Sequence, residues 1–372
     1  RKQKQFIKDL DSKVSLLQGP PGTGKTSGAI ASALAGRIYT ASKADSTVRA
    51  IVTGASNKSI DEVTNEVSEL IEGYNEDTDT GELQNVDIIR LSPYVQEDKK
   101  KDNVKYLDYN NENHQAEILR ILEQLDNTGL NNEGTVQSTL AGTDNHTILL
   151  TTPARLHGLM KNYAEEADIE EVYEAAPEIF DIMCVDEASM MTLDRFILSG
   201  AFMSSNGQWL IAGDHRQMPP VQKYDWTEEN RRNIEQYLPY LSTLNYFRYL
   251  RGDDLTDFID EDLVEDQPVN RDIKQTGLEV TYRCHEAVAD FLQEWIYDKD
   301  NINYRSKETT TIPEVDAKTN GVQTALDPES PITLIIHDDT KSKQFNPVEA
   351  QIASVLDMEL PEAESTGIVT PH

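Results

Sequence analysis

The sequence predicts an α/β protein: a doubly wound, mainly parallel sheet that carries a phosphate-binding loop. Three observations predict it. Short apolar runs recur between stretches of helical period. These runs are continuous rather than alternating, as in strands buried on both faces of a parallel sheet. One of them leads directly into Gly19-Pro20-Pro21-Gly22-Thr23-Gly24-Lys25-Thr26, the G-x-x-x-x-G-K-[ST] spacing of a P-loop.

Strands are expected at Val14–Gln18, Ala50–Thr53, Thr147–Thr151, Ile179–Val185, Trp209–Ala212 and Ile332–Ile336. A helix is expected from Lys25 through Ala-rich sequence to Leu34. Another spans Ser59–Ile71, with Ile60, Val63, Val67, Leu70 and Ile71 on one face. This alternation is the doubly wound pattern. Two stretches depart from it. Residues 92–146 are polar, with one amphipathic helix around Ala116–Leu125, and read as an inserted accessory subdomain. Residues 251–272 carry Asp253, Asp254, Asp257, Asp260, Glu261, Asp262, Glu265 and Asp266, and read as a solvated acidic linker.

The 372 residues leave room for two or three domains at roughly 150 residues each. The expected division is 1–270 and 271–372. The chain opens on Arg1, already close to a motif, and reads as a piece of a longer protein. No apolar run reaches the roughly 18 residues of a membrane span, so no membrane partner and a cytoplasmic location are expected. Cys184 and Cys284 form no C-x-x-C pair, which argues against a disulfide scaffold and a zinc site.

Lys and Arg total 34 against 66 Asp and Glu, a net charge of −32. Such a charge ordinarily argues against nucleic acid. The acid is spread along the chain, however, which points to a halophile. Multimolar salt screens charge within about 3 Å, so an acidic surface does not exclude a nucleic-acid partner there.

The P-loop glycines let backbone N–H groups turn toward phosphates, and the following helix adds its N-terminal dipole. Lys25 can reach the β/γ phosphates, and the Thr26 hydroxyl can ligate magnesium. The apolar strand Ile179–Val185 ends at Asp186-Glu187-Ala188-Ser189. Asp186 is placed to hold magnesium and Glu187 to polarise the attacking water. The strand Trp209–Ala212 ends at Gly213-Asp214-His215-Arg216-Gln217-Met218-Pro219-Pro220-Val221. Gln217 can hydrogen-bond a γ-phosphate and a water. A γ-phosphate sensor and a merely Pro-terminated loop both fit this pattern.

GPPGTGKT, DEAS, GDHRQMPPV and a Tyr-Arg pair together resemble superfamily 1 helicases. The resemblance is to the 5′-to-3′ branch that includes the regulators of nonsense transcripts and senataxin. It implies two tandem RecA-like domains, the second incomplete, and ATP with Mg as cofactors. It implies a monomeric ATP-hydrolysing motor on single-stranded nucleic acid, DNA or RNA. By this resemblance Gln3 reads the adenine edge, with Gln5 as rival, and Tyr282 in LEVTYRCH stacks on adenine. Arg283 acts as an arginine finger. TGASNKSID (Thr53 to Asp61) and TTPARL (Thr151 to Leu156) contact the strand, through Ser56, Asn57, Thr152 and Pro153. Ser59 also fits a plain helix cap. NPVEA at Asn346 and GIVTPH at Gly367 resemble later landmarks. Cys284 and Met218 stand where the family has Met and Leu. The last two family motifs would lie beyond His372, which reads as truncation and lowers the expected turnover. A nucleotide-switched binding clamp shares every one of these residues. A P-loop kinase or transport ATPase does not share the third motif or Arg283.

Overall fold

The computed structural model describes residues 2–8, 12–78, 80–92, 95–108, 110–111, 113–114, 116–118, 145–166, 178–221, 238–259, 269–307, 320–327, 330, 332–338, 346–359, 367 and 369. Most of the expected helix Ala116–Leu125, residues 260–268 of the acidic stretch and most of GIVTPH lie outside the described residues. The chain divides into two compact units, Arg1–Leu278 and Glu279–His372.

The first unit is built on an eight-stranded sheet. Its strands are β1 (Val14–Gln18), β2 (Arg49–Gly54), β3 (Val86–Leu91), β4 (Val104–Leu107), β5 (His146–Leu150), β6 (Phe180–Asp186), β7 (Met203–Gly213) and β8 (Ile273–Gly277). Their order is β4-β3-β5-β2-β6-β7-β1-β8, and every pairing is parallel. Alternate residues along each strand serve opposite faces. Leu17, Val52, Leu150, Cys184 and Leu210 pack on one side with Ile30, Leu34, Ile60 and Val63. Leu16, Ile51, Leu149, Met183 and Ile211 pack on the other with Leu156, Phe196 and Leu244. Two apolar layers, one per face, are why the strands read as unbroken apolar runs.

The helices follow from caps and periodicity. α1 spans Lys2–Lys8. After β1, a π-helical stretch Lys25–Ala31 runs into α2, Ser32–Lys43. α3 spans Asn57–Asp77 and buries Ile60, Val63, Val67 and Ile71, the predicted face. Its cap is Ser56, whose Oγ accepts from Ser59 N at 3.2 Å, so the helix begins two residues before the predicted start. α4 (Pro153–Glu166) starts on a proline, whose missing N–H costs nothing at that position. α5 is Leu193–Gly200 and α6 is Thr243–Arg251.

The first unit departs from the sequence expectations at three places. Val104–Leu107, inside the expected insertion, is a core strand paired with β3. Leu255 and Ile259 of the expected acidic linker are buried with Leu238 and Leu241, while Asp253 pairs with Arg248 and Arg251. Apolar residues at helical-turn spacing pin that part of the stretch despite its charge. The first unit runs to Leu278 rather than ending at 270, because β8 pairs with β1 from Val14↔Ile273 to Gln18↔Gly277.

The second unit holds a two-residue parallel bridge, Val280–Thr281 with Arg305–Ser306. Its α7 (Glu286–Leu292) continues as a π-helical turn to Tyr297, and Ala289, Tyr297 and Tyr304 pack together. α8 is Asn320–Ala325 and α9 is Pro347–Glu359. Ile332–Ile336 is not a strand. It has no β partner among the described residues, and Leu334 and Ile336 are exposed. No helix among the described residues is long and apolar enough to cross a membrane.

Candidate active site

Parallel register brings the carboxyl ends of β1, β7, β6, β2 and β5 to one edge. Gln18 lies opposite Gly213, and Gly54 opposite Asp186. In an open parallel sheet, ligands bind along this edge. The loop Gly19–Gly24 leaves β1 here. Gly19 N donates to Gly213 O at 3.0 Å, tying the loop's first residue to the third motif. Gly24 is left-handed at φ 74°, a conformation that a side chain would strain. Thr23 is buried and its Oγ1 donates to Pro20 O at 2.8 Å. Lys25 is buried too, and its Nζ donates to Gly19 O at 2.7 Å. The loop is therefore braced from within, with Pro21 and Gly22 at its outer turn.

Gln3 braces it from behind. Its Nε2 donates to the carbonyls of Thr23 and Gly24, each at 3.2 Å. The amide nitrogen is thus spent on the loop rather than left for a base edge. Gln5 lies in α1.

The acidic pair sits directly across. Thr26 Oγ1 donates to Asp186 Oδ2 at 3.0 Å. Asp186 is almost fully buried, and Glu187 N donates to its Oδ1 at 3.0 Å. Burial, reinforced by the neighbouring Glu187 charge, pushes the Asp186 carboxyl up to about 6. Glu187 itself is left-handed at φ 50°, a strained state for a non-glycine residue. Its Oε2 is buried without a hydrogen-bond partner, as are Thr53 Oγ1 and Ser189 Oγ on the same edge. Orphaned buried oxygens are rare because they cost about 1–3 kcal/mol each. A strained carboxylate, orphaned oxygens and a left-handed loop glycine fit a bound triphosphate with its magnesium. Thr26 and Asp186 are the residues that could hold the metal.

The sequence reading missed a buried network beneath the third motif. Gln18 Nε2 donates to Asp214 Oδ1 at 2.7 Å, and Gln18 Oε1 meets His215 Nδ1 at 2.9 Å. Gln217 Nε2 donates to Asp214 Oδ2 at 3.1 Å, and Arg216 N donates to Oδ1 at 3.1 Å. The candidate sensor is thereby linked through Asp214 to the last residue before the P-loop. Gly213 allows this close approach, since a Cβ there would lie 3.0 Å from Ser189 N. The same loop is clamped from outside by an Arg216–Asp257 ion pair at 2.8 Å. A polar residue at the end of a buried strand was the available signal for Gln18.

The strand-contact candidates also lie on this edge. Ser56 and Asn57 are exposed at the end of β2. Thr152 is half-buried and Pro153 buried after β5, and Thr151 N continues the ladder to Val52 O at 3.0 Å. Tyr282 and Arg283 belong to the second unit, exposed on the turn before α7. Thr281 Oγ1 accepts from Arg283 N at 3.2 Å there.

Residues 1–128 match the AAA domain family model. That match takes in the P-loop and Ser56-Asn57 and ends before Asp186. No curated protein matches the chain. Among the solved structures similar to it are three helicases. The PRRSV helicase is 11% identical with TM-score 0.32, over 85% of this chain and 40% of its own. Arterivirus nonstructural protein 10 (helicase) with DNA is 13% identical with TM-score 0.31, over 85% and 47%. The Pif1 helicase from Candida albicans is 12% identical with TM-score 0.32, over 81% and 43%. The chain spans less than half the length of each. The parallel sheet and the loop geometry give the first unit an α/β P-loop fold of RecA-like architecture, and the AAA-domain match covers its first 128 residues.

Proposed function

We propose that the chain is the motor part of an ATP-dependent helicase or translocase of superfamily 1, moving along single-stranded DNA or RNA. One observation carries the reading: the Thr26–Asp186–Glu187 cluster, with Asp186 buried, faces a P-loop that is tied through Gly213 and Asp214 to Gln217. A nucleotide site wired to a γ-phosphate sensor suits a motor better than a simple phosphate binder.

Lys25 and the loop N–H groups bind the β/γ phosphates. Thr26 and Asp186 hold magnesium, which when bound neutralises developing phosphate charge. Glu187 orients the attacking water and takes its proton at the carboxylate. Gln217 bonds the γ-phosphate and shifts its loop when that phosphate leaves. Ser56, Asn57, Thr152 and Pro153 touch the strand. The net charge of −32 makes a lysine-rich grip unsuited to this chain. A halophilic setting, where salt screens that charge, supports a grip made of neutral hydrogen bonds and stacking.

The test is steady-state ATP hydrolysis in multimolar KCl with no nucleic acid, poly-dT or poly-U. Stimulation by one polymer is the expected result, and it names the nucleic acid. ATP binding with no stimulation by either would overturn the motor reading in favour of a nucleotide-switched clamp.

A further inference from the structure

Among the described residues, the largest fully buried side chain is a cation, Arg90 on β3. Its guanidinium lies under the two segments proposed to touch the strand, and this inference rests on that proposal. Arg90 pairs in register with Leu150, next to Thr151-Thr152-Pro153. Its NH1 donates to Leu91 O and, at 3.4 Å, to Leu150 O. Its Nε donates to Asp61 Oδ1 at 2.8 Å. Its NH2 donates to Asn57 Oδ1 at 3.1 Å. Burial works against the charge and Asp61 opposes that, although Asp61 is 45% exposed and shares its own charge with water.

An arginine only donates. The Asn57 atom that faces it must therefore be the amide oxygen. The amide nitrogen, with two donors, is then the end that does not face Arg90, on an exposed residue at the ligand-binding edge. We infer that Arg90 is a positioning residue that fixes Asn57 as a hydrogen-bond donor to the phosphodiester backbone of single-stranded nucleic acid. The arrangement suits a strongly acidic protein. It supplies a donor without adding a surface cation, while the buried positive charge lies behind it. No contact between Arg90 and the strand is needed.

The experiment measures binding of fluorescein-labelled oligothymidylate and oligouridylate by anisotropy, with ATP affinity and melting temperature followed in parallel. Asn57→Asp keeps an acceptor for Arg90 but replaces the donor end with an anion. It should hold the melting temperature, leave ATP affinity unchanged and weaken oligonucleotide binding about tenfold or more. Asn57→Ala leaves Arg90 short of an acceptor and should lower the melting temperature as well as the binding. Arg90→Lys cannot reach all its partners at once. It should weaken binding as Asn57→Asp does, and the double variant should be no worse than Asn57→Asp alone. Oligonucleotide binding unchanged in Asn57→Asp overturns this inference alone, as does full additivity in the double variant. Wild-type protein that binds neither oligonucleotide overturns the proposed function and this inference with it.

Discussion

Thr26 and Asp186 stand 160 residues apart in the chain, yet their side chains meet at 3.0 Å, hydroxyl to carboxylate. The contact joins the first turn of the helical stretch after β1 to the end of β6, across the intervening β7. Both oxygens are thus held together before any ligand arrives, so little ordering is left to accompany metal binding. Thr26→Ala should remove the gain in ATP affinity that magnesium confers, about tenfold or more, and spare metal-free binding. Titrating a fluorescent ATP analogue with and without magnesium checks this. An equal loss in both conditions would mean that Thr26 serves only the loop.

Glu187 combines strain with an orphaned oxygen, two costs that a purely structural carboxylate would shed. Glu187→Gln should bind ATP normally and lose about 10²–10⁴ in turnover. Glu187→Gly relieves the left-handed backbone and should raise stability by about 1 kcal/mol while being equally inactive. Single-turnover hydrolysis and thermal melting read the two effects separately. Wild-type turnover in Glu187→Gln would remove this residue from the role of base.

Much of this edge is legible in the sequence because chain-local spacing encodes it. The P-loop, Asp186-Glu187 and Gln217 each follow an apolar run, and strand ends in one sheet must line up. Less legible are features that depend on partners far along the chain. Gln18 looks like an ordinary strand residue until Asp214 is beside it. Arg90 interrupts Val86–Leu91 with a charge, and that charge hides a core strand whose cation is satisfied by Asp61 and Asn57. β8 reads Ile-Lys-Gln-Thr-Gly, too polar for a buried run, since it lies at the edge of the sheet beside β1. Ile332–Ile336 fails in the opposite sense: it has strand composition, but no neighbouring strand among the described residues completes its hydrogen bonds.

Asp214 accepts from Gln18, Arg216 and Gln217 and is fully buried. Asp214→Asn keeps the shape but turns one acceptor into a donor that faces another donor. Stability should fall by about 1–3 kcal/mol from the broken buried network. Turnover should fall further than ATP affinity, because Gln217 loses its anchor while Lys25 and the loop remain. Comparing kcat with nucleotide Kd for the variant checks the order of these losses. Equal losses would make Asp214 a support for the loop rather than for the sensor.

Asp186 gives the apo protein a stability term of known sign. Its folded carboxyl is raised to about 6, chiefly by burial and then by Glu187, above the ordinary 3.8. The folded chain therefore holds a proton between about pH 4 and 6 that the unfolded chain has released. The favourable contribution is complete below about pH 4 and is lost as pH rises through about 6. Above that the ionised carboxylate costs about 1–3 kcal/mol. Asp186→Asn removes the titration. In magnesium-free urea melts at fixed high salt, the variant should be the more stable protein at pH 7.5, and the gap should close toward pH 4.5. Differencing the two proteins cancels the other carboxylates, whose pH dependence both share. A gap that stays constant with pH would show that the cost at Asp186 is packing rather than charge.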